Sequence, residues 1–201
     1  MDWSLPLIAF TVGFVAESAN LVGIASSALG WVDYWPPGER GWRYYIHWTL
    51  EQTFNVSLLV VTYFVWNSLG FPTPVLVGGA VCFAVPFAGA LLAGQDLGSE
   101  ETMGLEGELQ TGGWYRYSRN PQYVCYIVAT VGFAVFAATP LGFALCTVYL
   151  LSWVTLPFAE EPWLREQYGE AYERYAERVP RFVDSASVRA LADRRSAADA
   201  E

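Results

Sequence analysis

Two short stretches concentrate the groups that could do chemistry. One is GGWYRYSRNPQYVCY, residues 112–126, which sets Arg116, Arg119 and Asn120 among aromatics directly before an apolar run. The other is Glu160-Glu161, directly after the next apolar run. If the intervening segment is a hairpin turning at Pro140, both ends return to one face. A guanidinium, an amide, phenols and two carboxylates then become neighbours. Such a set suits a cationic ligand bearing ribose hydroxyls, an amino group and a carboxylate. Carboxylates accept from hydroxyls or ammonium, Arg pairs a carboxylate bidentately, and aromatic faces attract a sulfonium. Each charge-assisted bond is worth roughly 1.5–3 kcal/mol net. Taken singly the same residues have plainer roles: Arg116 and Arg119 as anchors at a membrane face, Glu160 and Glu161 as acidic groups opening a helix. Their convergence over one hairpin favours binding.

The elements that must position these groups are apolar. The chain has 201 residues, 54% apolar and 16% aromatic, above the ~45–50% apolar share of soluble proteins. Residues 58–97 hold no charged residue before Asp96. A helix needs about 20 apolar residues to cross a bilayer core. Segments 5–29, 44–66, 75–92, 123–139 and 141–159 meet or approach that, so the expected fold is all-α, a polytopic membrane protein with five transmembrane helices. Thr139-Pro140-Leu141-Gly142 reads as a tight turn between two antiparallel spans, and Pro72 and Pro74 mark a turn after the second. The start, MDWSLPLIAF, lacks a positive region, so the first apolar run is expected to stay as a span. Five crossings put loops 30–43 and 93–122 and the tail after 159 on one side. Every Arg falls there, which makes that side cytoplasmic, with the N-terminus outside.

After Glu160 the pattern becomes that of an amphipathic C-terminal helix on the cytoplasmic side. Leu164, Tyr168, Tyr172, Tyr175 and Val179 share one face, Glu170 and Arg174 pair on the other, and Pro180 closes the helix. The tyrosines read as its buried stripe, or as a cover for the ligand. One membrane domain, 1–201, is expected: a three-span part (1–95), a loop, hairpin and tail helix (96–183), and a frayed or disordered end (184–201). Cys82, Cys125 and Cys146 lie in apolar stretches without metal-ligand spacing. A net charge of −9 excludes a phosphate-binding surface for nucleic acid. Lysine is absent, as would suit either a high-salt source or a biased genome.

A second polar set lies inside the apolar segments. His47, Glu51 and Asn55 recur every fourth residue on the second span, and Glu17 and Asn20 lie on the first. Leaving ionisable groups in lipid costs at least ~2.5–3.5 kcal/mol, so they point either to a function or to hydrogen bonds between helices. Contacts to an acceptor molecule and simple interhelical packing both stay open.

The segment TGGWYRYSRNPQYVCY, the hairpin, and PFAEEPWLREQYGEAYERYAERVPRF together resemble the C-terminal half of the integral membrane methyltransferases related to isoprenylcysteine carboxyl methyltransferase and phospholipid N-methyltransferase. The resemblance spans residues 112–182. It implies S-adenosyl-L-methionine (SAM) as cofactor, held by Tyr115, Arg119, Asn120, Pro121, Tyr123, Glu160 and Glu161. A lipophilic acceptor would reach it from the bilayer, either a phospholipid amine or an isoprenoid thiol or carboxylate; His47, Glu51 and Asn55 are the candidate acceptor residues. No residue is assigned as a catalytic base. Cys125 stands where the family usually has Gly, which would narrow backbone approach to the cofactor, and Asn120 replaces the commoner His. Thr155-Leu156-Pro157 lacks the basic residue that prenylcysteine enzymes tend to carry before the paired carboxylates. Membrane sterol reductases, which use NADPH and have more spans, share a similar stretch and tail, and a non-catalytic membrane scaffold is the third alternative.

Overall fold

The computed structural model describes residues 4–184 and Ser187, so the expectation for the end of the chain falls almost wholly outside the described residues. Among these residues every regular element is helical: α1 (Ser4–Ala28), α2 (Trp42–Val65), α3 (Thr73–Leu97), α4 (Ser99–Thr102), α5 (Pro121–Ala137), α6 (Pro140–Tyr168) and α7 (Glu170–Ala176), with a 3₁₀ turn at Gly113–Arg116. Three helices, α1, α3 and α6, are long and apolar enough to cross a membrane. The 24-residue α2 is interrupted by the polar set around Glu51, and α5 is apolar but has only 17 residues.

The helices pair as α1 with α2 and α6, and α5 with α3 and α6. Between α3 and α5 the backbones nearly touch. A Cβ on Gly132 would lie 2.4 Å from the Cys82 carbonyl carbon, and one on Gly79 would lie 2.7 Å from the Phe136 nitrogen. Small residues at a helix crossing replace side-chain bulk by backbone contact, a common solution where lipid supplies no hydrophobic drive. A core of Phe54, Leu58, Val61, Ala134 and Leu145 fills the space where α2, α5 and α6 meet.

The connections collect at two ends. At one, Asn67 N–H donates to Ala137 O at 2.9 Å and Trp66 Nε1 to Phe136 O at 2.8 Å, joining the turn after α2 to the turn between α5 and α6. At the other, Gly38 and Leu105 form an isolated β-bridge, and Tyr168 OH donates to Gly107 O at 2.8 Å. Loops 30–41 and 98–120 and the tail therefore share the end opposite the short turns.

The tail departs from expectation. Instead of ending near residue 159, α6 runs on through Pro157 and Pro162 to Tyr168, because Leu156 and Ala159 are packed against Ile24, Tyr34 and Trp35 and the following carboxylates are tied by tertiary bonds. The expected single amphipathic helix is cut at Gly169, whose φ of +52° a glycine adopts readily. Glu160 and Glu161 thus sit inside α6 rather than opening a tail helix. The Glu170–Arg174 pair forms at 3.1 Å on the exposed side of α7.

Candidate functional site

At the loop-bearing end, the start of α5 and the last turns of α6 stand side by side. Tyr115, Arg119, Asn120, Tyr123 and Glu160 line one cleft, which Trp163, Tyr168, Tyr172 and Tyr175 help to wall. Glu160 accepts from Trp35 Nε1 at 2.8 Å and from the Tyr123 hydroxyl, both on Oε1. No described residue donates to its Oε2. Asn120 donates through Nδ2 to Arg181 O at 2.9 Å, and its Oδ1 has no donor among the described residues.

Glu161 does not line this cleft. Its carboxylate, 4% exposed, faces a cluster of guanidinium groups: Arg119 Nη1 at 3.0 Å, Arg181 Nε at 2.6 Å and Nη2 at 2.7 Å, and Arg165 Nη2 at 3.8 Å. Successive residues on a helix point about 100° apart, so two adjacent acids serve different surfaces. Arg119 bridges them. It pairs with Glu161, donates through Nη1 to Tyr172 OH at 3.1 Å, lines the cleft, and buries its Nε without a partner. The bonds from Glu161 raise the pKa of Arg181 further above its ordinary value, which keeps that side of the network charged. Burial pushes the phenols of Tyr115, Tyr172 and Tyr175 up as well, so they remain neutral hydrogen-bond donors.

Two further residues lie outside this cleft. Pro121 opens α5 but lines a separate groove with Trp114 and Val124. Cys125 lies in that groove too, with its sulfur beside Gly89 of α3, so it does not restrict the cleft. Both side chains are on the α3 side of α5, away from α6.

The structure adds residues that sequence reasoning left without a role. Arg181 clamps Glu161, while its carbonyl receives Asn120 Nδ2 and Ser118 Oγ, the latter at 3.2 Å. Pro180 O accepts from Arg119 N–H at 2.9 Å. The tail thus fastens the Arg119-Asn120 pair from behind. The segment VPRF was visible as part of the motif, but nothing in its spacing identified the partner. Trp35 on the first loop carried no signal, because its contact with Glu160 spans 125 residues.

His47, Glu51 and Asn55 also converge. With Asn20, Tyr149 and Ser152 they line a chamber of about 300 Å³ deeper among the helices. Gln122, Tyr123 and Thr102 border both the chamber and the cleft. Glu51 accepts from Asn55 Nδ2 at 3.2 Å and from the Tyr149 hydroxyl, and Glu17 accepts from the Ser152 hydroxyl.

The fold and site define a helical protein of apolar rods with a polar cleft at one end and a polar chamber beneath it. Residues 74–171, just under half the chain, match the family model for phospholipid methyltransferase (PEMT), which bears out the resemblance to integral membrane methyltransferases. The match runs from the start of α3 into α7 and leaves α1 and α2 outside it. Comparison with curated proteins and with solved structures gives no match.

Proposed function

We propose that the protein is a SAM-dependent methyltransferase acting on a lipophilic acceptor at the cytoplasmic face of a membrane. The observation that carries this reading is the shared wall: five predicted cofactor residues line one cleft, and Tyr123, one of them, also borders the interior chamber. A water-soluble donor and an acceptor from the bilayer would meet across it.

The residues present fit the cofactor. Glu160 Oε2 and Asn120 Oδ1 have acceptor capacity to spare for ribose hydroxyls or an ammonium. Arg119 Nε is a buried donor without a partner, and Trp163 and Tyr168 offer aromatic faces. When bound, SAM supplies an electrophilic methyl group on a sulfonium. The chain's own task is alignment: Glu160, fixed by Trp35 and Tyr123, and Arg119, fixed by Glu161 and Tyr172, hold their groups in place before a ligand arrives. The apolar walls of α5 and α6 strip water from an incoming nucleophile.

Five spans, with the N-terminus outside and the C-terminus cytoplasmic, are the matching topology. Its support is that Arg40, Arg43, Arg116, Arg119, Arg165, Arg174, Arg178 and Arg181 all lie at or beside the loop-bearing end, as the positive-inside preference requires.

Incubation of the purified protein with methyl-labelled SAM and a membrane lipid extract tests the reading. Label is expected in the organic phase, and Glu160→Ala abolishes it. Absence of transfer, together with tryptophan quenching by NADPH at lower concentration than by S-adenosylhomocysteine, would favour a reductase instead.

A further inference from the structure

Below the chamber lies an apolar slot of about 200 Å³ bordered by Leu58 and Leu59 of α2, Phe83 of α3, and Ala129 and Phe133 of α5. Asn55, Phe87, Tyr126 and Tyr149 border both spaces, so chamber and slot adjoin. They form a polar head space with an apolar extension, set between α2 on one side and α3 and α5 on the other.

The head space is lined by the carboxyl group of Glu51, with that of Glu17 buried behind Ser152. Glu51 is 7% exposed and Glu17 is fully buried, yet every hydrogen bond they receive from described residues comes from a neutral group: Tyr149, Asn55 and Ser152. Neither takes part in an ion pair among the described residues, and no Arg lines the chamber or the slot. The Oε2 of Glu51 receives no donor from the described residues. His47, 4% exposed on the same wall, buries Nδ1 without a partner. A carboxyl group withdrawn from water either stays protonated or ionises beside a counter-cation, which an incoming ammonium supplies. Aromatic rings complete the lining: Tyr126 stacks on Trp153 at 4.6 Å between centroids, and Tyr149 packs on the same indole at 4.7 Å. Ring faces attract an ammonium, including one that has gained methyl groups.

We propose that chamber and slot bind an amphiphile whose head is a protonated amine with no phosphate or carboxylate beside it, the ammonium pairing with Glu51 and the apolar chain lying in the slot. An anionic group on the head would meet Glu51, with Glu17 buried behind Ser152 and no Arg among the lining residues to offset it. The site draws on α1 and α2, outside the segment that matches the methyltransferase family. Its role as acceptor site rests on the methyltransferase reading, whereas its ligand preference does not.

Titration of the intact protein in non-ionic detergent, followed by tryptophan fluorescence, tests this with three probes: dodecylamine, dodecanoate and a single-chain phosphoethanolamine lipid. Dodecylamine is expected to saturate at a concentration about tenfold or more below the other two, and Glu51→Gln to raise its half-saturation by about tenfold, the scale of one charge-assisted bond. Calorimetry with S-adenosylhomocysteine is expected to read the same in Glu51→Gln as in the unmodified protein. Equal or tighter binding of dodecanoate or of the zwitterionic phosphoethanolamine lipid overturns the proposal, as does unaltered dodecylamine binding in Glu51→Gln. Should that variant fail to fold, the ranking of the probes on the unmodified protein decides alone. Failure of S-adenosylhomocysteine to bind the unmodified protein would contradict the cofactor reading and leave the amine preference standing.

Discussion

The cleft end and the interior chamber solve the same problem in opposite ways. Both hold carboxylates away from water. At the cleft end Glu161 is surrounded by Arg119, Arg165 and Arg181, so its charge is balanced within the protein. At the chamber, Glu51 and the Glu17 buried behind Ser152 have, among the described residues, only hydroxyl and amide donors. The contrast separates an acid whose charge the chain balances from acids that it meets with neutral groups alone. A closed ion network is a fastening. An acid met only by neutral donors stays protonated or takes a cation from outside. Glu160 lies between these cases: it is anchored by two neutral donors on one oxygen, and its other oxygen has no donor among the described residues.

Removing the balanced acid breaks the comparison most severely. Glu161→Ala strands Arg119 and Arg181 and is expected to cost roughly 3 kcal/mol, the lower end for a buried pair because Arg165 and Arg181 are partly exposed. A thermal melt should fall by roughly 10 °C. Its neighbour behaves differently. Glu160→Gln keeps the shape and is expected to leave the melt nearly unchanged while weakening S-adenosylhomocysteine by about 10–100-fold in calorimetry. A large melting shift in Glu160→Gln with unaltered ligand affinity would reverse the roles assigned to the two acids. In the chamber, Ser152→Ala removes the hydroxyl donor to Glu17 and is expected to cost about 1–2 kcal/mol in the melt without affecting cofactor affinity. Smallest of all, Arg174→Ala breaks an exposed pair with Glu170, and neither readout is expected to move measurably.

Much of this division was legible in the sequence, and the exceptions have physical causes. The five long helices follow from runs of apolar residues bounded by Pro and by charged loops, and Arg119 beside the acidic doublet follows from folding those runs as a hairpin. Periodicity cannot say that Glu160 and Glu161 part company, because that depends on how α6 is rotated against α5 and on α6 continuing past Pro157 and Pro162. The tail looked like one helix because its tyrosines keep a helical spacing. Gly169 breaks the backbone while Tyr172 and Tyr175 remain buried, so the stripe survives the interruption. Trp35 and Arg181 were illegible for another reason. Their partners lie far along the chain, and no local pattern encodes a contact that tertiary packing creates. His47, Glu51 and Asn55 were readable as one face of α2, but only the positions of Tyr149 and Ser152 on α6 turn that face into a chamber.

Calorimetric titration of the unmodified protein with S-adenosylhomocysteine tests the central claim most directly. Saturable binding at one site per chain, lost when Glu160 is replaced by Ala, is the expected result. No heat of binding at millimolar ligand, from protein that melts cooperatively, would contradict it.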